Sequence, residues 1–121
     1  MANDFKRFQV SSASTSTGAS GSTAYTVPAG AGSSALESIV IGITLSNKTA
    51  TGITGDVYLD GFGGTDTYIV KGASIPAGSS LEVMAGNKLV LQNNGKTGDV
   101  IKITSGTATA LDATVSVLED V

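Results

Sequence analysis

Apolar and polar residues alternate along most of this chain with a period of two. In the segment 39–45, Ile39, Ile41, Ile43 and Leu45 fall on one face and Val40, Gly42 and Thr44 on the other. Alternation of this kind among β-branched residues is the pattern of a half-buried strand. It recurs in 53–60, where Ile53, Gly55, Val57 and Leu59 oppose Thr54, Asp56, Tyr58 and Asp60. Shorter runs at 25–27, 67–71, 81–83, 89–91, 100–104 and 111–118 read the same way. No helical i, i+3, i+4 stripe persists beyond one turn.

Turn signals separate these runs. They are Pro28-Ala29-Gly30-Ala31-Gly32, Gly61-Phe62-Gly63-Gly64, Ile75-Pro76-Ala77-Gly78, Ala85-Gly86-Asn87 and Asn93-Asn94-Gly95. In the third, Pro presets φ and Gly accepts a positive φ close by. Short strands between such turns predict an all-β, single-domain β-sandwich of about seven to eight antiparallel strands. The spacing leaves jelly-roll and immunoglobulin-like orders open. The core is expected from Ile39, Ile41, Ile43, Val57, Leu59, Leu81, Val83, Ile101, Ile103, Val115 and Val117.

One stretch breaks the rhythm. Residues 11–23, SSASTSTGASGST, form a low-complexity run between a strand-like segment at 5–10 and the rest. The sequence therefore divides into 1–23, an N-terminal strand and Ser/Thr/Gly-rich arm, and 24–121, the sandwich. Phe5, Lys6, Arg7, Phe8 and Val10 are the candidate interface residues of the arm. Two of the chain's three Phe lie here, on opposite strand faces, so both faces need cover. Two outcomes satisfy that need. The strand crosses to a neighbouring subunit and adds to its sheet edge, or it folds back onto its own domain.

Composition then narrows the chemistry. Ser, Thr and Gly number 15, 15 and 16 of 121 residues, only 14% are charged, and there is no His, Cys or Trp. Thiol nucleophiles, disulfides, imidazole or thiolate metal sites and His-based triads are excluded. A net charge of −3 argues against nucleic acid as a partner. No run of about 18 apolar residues predicts a transmembrane helix. The polar amino terminus lacks a secretory signal's apolar core, so synthesis in a cytoplasm is expected.

Three weak chemical candidates remain. The segment 60–66, with Asp60 and Asp66 around a glycine-rich tip, resembles a single partial calcium loop; a solvated hairpin tip is the plainer reading. Asp56 and Asp60 share a strand face but lie ~13 Å apart, beyond glycosidase spacing. Tyr25, Tyr58, Phe62 and Tyr68 are the aromatic platforms open to a sugar ring. No catalytic residue, cofactor or metal is expected, and the chain reads as a non-enzyme.

From residue 25 onward the chain resembles small virion structural proteins of tailed bacteriophages. The likeness lies in Tyr25-Thr26-Val27-Pro28-Ala29, in 39–47 (IVIGITLSN), in 75–83 (IPAGSSLEV), in 98–104 (GDVIKIT) and in 114–119 (TVSVLE). The opening Ala2-Asn3-Asp4-Phe5-Lys6-Arg7 is similar too, whereas the 11–23 run is longer than the family's usual connection. The resemblance implies a capsid decoration (cement) protein on the capsid surface of the virion, stabilising the shell. The partners it implies are the major capsid protein or other virion proteins, with a homo-oligomer, a trimer, as the expected state. Neck, tail or baseplate-associated structural proteins and host-surface carbohydrate-binding modules are the alternatives.

Overall fold

The computed structural model describes residues 3–33, 35–84 and 88–120. The chain forms nine strands: β1 (Asn3–Val10), β2 (Ser22–Thr26), β3 (Leu36–Asn47), β4 (Ile53–Asp60), β5 (Asp66–Ile75), β6 (Ser80–Glu82), β7 (Leu89–Asn93), β8 (Val100–Ser105) and β9 (Leu111–Asp120). The first sheet runs β1-β9-β3, with β6 and β7 sharing the far edge of β3, and the second runs β2-β8-β4-β5. All strand pairs are antiparallel. Taken as one interrupted strand, β6 and β7 complete two four-stranded sheets. Most chain neighbours then lie in opposite sheets, which is the jelly-roll order.

The expected turns account for the reversals. Gly78 takes φ 65° after Pro76, and Ser79 N donates to Pro76 O at 3.1 Å. Gly95 takes φ 97°, and its N–H donates to Asn93 Oδ1 at 2.7 Å. The turn expected at 85–87 lies outside the described residues.

Between the sheets, Val57, Ile101, Ile103, Val115 and Val117 are buried as expected, joined by Tyr25, Val27, Ile75, Leu91 and Leu111. Leu59, Leu81 and Val83 pack on this core half-buried. The strand 39–45 needs a correction. Its pairing with β9 shifts between Val40, opposite Val117, and Gly42, opposite Ser116, so Ile41 is an extra residue in a bulge. The slip reverses the alternation: Leu36 and Val40 point inward before it, Ile43 and Leu45 after it. Ile39 is therefore only half-buried and Ile41 is 39% exposed, so neither belongs to the core.

The N-terminal segment takes the intramolecular outcome. All eight residues of β1 pair with β9, from Asn3 opposite Asp120 to Val10 opposite Ala113. The 11–23 run is no free linker between arm and body. Ala13 is buried and its N–H donates to Leu111 O at 2.8 Å, while Ser14 bridges to Thr104 beside β8. Ser12, at φ 54°, is held by Lys48 Nζ on its Oγ at 2.8 Å and by its own N–H on Asp112 Oδ1 at 2.9 Å. The run then lies over the outer side of the second sheet. Tyr58, on that outer side, donates its hydroxyl to Gly18 O, and Lys102 Nζ reaches Thr23 Oγ1 at 3.0 Å and Ala19 O at 3.3 Å. A Cβ at Gly21 would collide with the Tyr58 hydroxyl, so the cover depends on glycine for its close approach. One outer face of the sandwich is thus partly sealed by the protein's own chain.

Candidate interaction surface

The candidate acidic sites are committed to structure. Asp56 accepts from Gly72 N at 2.6 Å and from Thr104 Oγ1 at 2.9 Å, which ties β4 to both of its neighbours. Asp60 and Asp66 sit directly opposite each other where β4 and β5 begin to turn. The intervening loop is closed by Gly61 N on Thr65 O at 2.9 Å and Gly64 N on Gly61 O at 2.8 Å, the bonds of a hairpin tip. Loss of water and the facing Asp60 carboxylate push the Asp66 carboxyl above its ordinary range. Among the described residues no three such side chains gather to hold a metal ion, and no helix is long and apolar enough to cross a membrane.

The aromatic candidates separate by burial. Tyr25 is interior, Tyr58 is buried beneath the 11–21 run on the outer side of the second sheet, and Tyr68 lies against Tyr58 with Lys71 Nζ 4.4 Å from its ring centre. Phe62 alone lines a cleft, an open hollow of about 170 Å³ shared with Leu36, Gln92 and Asn94. Asp99 fixes this corner by accepting from Phe62 N at 3.0 Å and Gln92 N at 2.9 Å.

The five N-terminal interface candidates divide by strand face. Phe8 and Val10 point inward: the Phe8 ring lies tilted against Tyr25 with centroids 4.8 Å apart, and Val10 is buried. Lys6 also lies on that side, where its Nζ approaches Glu119 Oε1 at 2.9 Å. Glu119 is 2% exposed, and its Oε2 accepts from the Tyr25 hydroxyl at 2.6 Å; Tyr25 also bonds Ser38 Oγ at 2.7 Å. Burial, and then the bond to Glu119, push the Tyr25 hydroxyl well above its ordinary value. The Glu119 carboxylate likewise raises Lys6 through its contact and its charge.

Phe5 and Arg7 face outward. Phe5 is 78% exposed and heads a row across four strands: it pairs with Leu118 of β9, Leu118 with Ile39 of β3, and Ile39 with Val90 of β7. Val90 is 58% exposed, and the bulged Ile41 adds a further apolar side chain beside the row. Directly opposed residues on one sheet face touch, so the four form one continuous apolar band. Sequence reading singled out Phe5 and Arg7 but did not place Ile39, Leu118 and Val90 on the same outer face. Each looks like an ordinary strand residue until the register aligns them.

The surroundings of the band are small or polar: Ser116, Thr114, Gly42, Thr44 and Ser46 occupy the same outer face. Along the edge strand β1, the charges of Asp4, Lys6 and Arg7 discourage addition of another strand. Exposed apolar side chains are thus gathered on this outer face, while the β1 edge carries charge. No protein-family profile matches the chain, and no curated protein is similar to it at a significant level.

Proposed function

We propose that the protein is a structural component of a tailed-bacteriophage particle, a capsid decoration protein that binds the outside of the shell and stabilises it. The observation that supports this reading is the inequality of the two outer faces, one partly covered by residues 11–21 and the other bare with an apolar band. A face of this kind suits attachment and calls for no reacting group. The likeness to small virion proteins points the same way, and a net charge of −3 favours a position away from the packaged genome. The major capsid protein is the partner on this reading.

Quantitative mass spectrometry of purified particles tests it. Cement is expected on the order of hundreds of copies per particle, as shell symmetry requires, against about a dozen for a neck or tail component. Absence of the chain from particles would overturn both. The Phe62 cleft favours a second reading, a glycan-binding module; glycan-array binding that Phe62→Ala abolishes would support it.

A further inference from the structure

We propose that Asn94 is a latent deamidation site, and that Asn93 holds it in check by sequestering the backbone N–H that would attack it. This goes beyond the proposed function and does not depend on it.

The hazard lies in a dipeptide. Asn94-Gly95 is the one Asn-Gly step in the chain, and Asn94 is exposed. Deamidation starts when hydroxide removes the proton from the backbone N–H that follows an asparagine. That nitrogen bonds to the side-chain Cγ, the Cγ–Nδ2 bond breaks, and Nδ2 leaves as ammonia after taking a proton from water. Water then opens the resulting succinimide to aspartate or isoaspartate. A glycine in the following position has no Cβ to hinder the attack. The turn cannot escape by exchanging that glycine, because Gly95 sits at φ 97°, where any side chain is strained.

The two reacting groups are held differently. Asn94 Oδ1 accepts from Lys96 N at 3.0 Å and from Thr97 N at 2.9 Å. Two donors on that oxygen support the negative charge it gathers as Cγ is attacked, so they do not restrain the reaction. Restraint falls on the nucleophile. Gly95 is buried, and its N–H donates to Asn93 Oδ1 at 2.7 Å. A proton committed to a buried acceptor is hidden from hydroxide while the bond stays closed, as in hydrogen exchange.

Asn93 is itself fixed. It is buried at the end of β7, opposite Leu36, and its Nδ2 donates to Val27 O at 2.8 Å. A Cβ at Gly98 would collide with Val27 O and with the Asn93 amide, so glycine there makes room for the clamp. Asn93 is therefore a positioning residue, acting on Asn94 through the Gly95 amide. What it guards is the Phe62 hollow, which Asn94 lines together with Glu37. Deamidation would set a second carboxylate beside Glu37. Isoaspartate would also add a backbone carbon to the turn that leads to Asp99, the residue holding Phe62 N and Gln92 N.

Peptide mapping by mass spectrometry, during incubation at mildly alkaline pH, tests this on the full chain. The urea-unfolded protein should convert Asn94 ahead of its other asparagines. The folded wild type is expected to convert it about tenfold more slowly or less, the effect of a bond open for about a tenth of the time. Asn93→Ala, shown by a thermal melt to be folded, should react at close to the unfolded rate. Ile43→Ala weakens the core well along β3 from Leu36, and its Asn94 should stay slow. A folded wild type as fast as the unfolded chain would overturn the proposal. So would a folded Asn93→Ala that stays slow, or an Ile43→Ala that reacts as fast as it. Should Asn93→Ala fail to fold, hydrogen exchange of the wild-type Gly95 amide decides: protection upholds the clamp, and exchange at the unfolded rate overturns it.

Discussion

Lys6 Nζ and Glu119 Oε1 lie 2.9 Å apart, diagonal to each other across the β1–β9 ladder. The pair joins the first strand to the last at the point where a carboxylate has been carried into the interior. A buried charge without partners is costly, and here the two oxygens are served by different elements, Oε1 by β1 and Oε2 by Tyr25 of β2. Both ends of the chain and both sheets therefore meet at one side chain.

Tyr25→Phe is expected to destabilise the fold by about 1.5–3 kcal/mol, the range for a hydrogen bond to a charged group. Urea denaturation measures this directly. An unchanged midpoint would mean that the carboxylate finds another donor.

The same cluster sets an alkaline limit. Lys6 and Tyr25 are both raised from ordinary values of 10.5 and 10.0. The unfolded chain releases these protons as pH passes about 10, while the folded one retains them, so it is the native state that binds more protons. Their contribution is whole below that pH and is lost as pH rises above it. Thermal melts between pH 8 and 11 should show the decline beginning near pH 10 and becoming shallower in Lys6→Gln.

The bulge at Ile41 makes a sharp contrast between neighbours. Ile43→Ala should destabilise by ~2–5 kcal/mol, as for a buried isoleucine. Ile41→Ser should stay within about 0.5 kcal/mol, as for a surface position. Equal losses at the two sites would restore the unbroken alternation in place of the bulge.

The cover over the second sheet is held by polar bonds, and its release is measurable. Tyr58→Phe removes the bond to Gly18 O, and Lys102→Met removes the ammonium that reaches Thr23 and Ala19. Limited proteolysis should leave the wild type intact within 11–21 and cut the double variant there. A wild type cut as fast as the variant would show that the run is not tied down.

Much of the fold was legible because burial on one side of a strand imposes a period of two. Val57, Ile101, Ile103, Val115 and Val117 follow from that period alone. Ile39 and Ile41 did not, since a bulge is one extra residue in a run whose composition looks uniform. The 11–21 cover was opaque for a different reason. Its Ser, Thr and Gly are what a flexible linker uses, and its anchors, Tyr58, Lys102 and Leu111, lie far away in sequence. The apolar band was hidden in the same way, because Phe5, Leu118, Ile39 and Val90 become neighbours only through three strand registers.

The partial cover over one sheet also makes the molecule one-sided. A sandwich bare on both sides would present a sticky plane at each end of every contact, and copies would stack without limit into fibres. With residues 11–21 lying over the β4–β8 part of one side, the two faces are no longer equivalent. Outside that run lies a largely polar coat, with Tyr68 at its edge, that offers a further copy far less apolar surface than the bare face does.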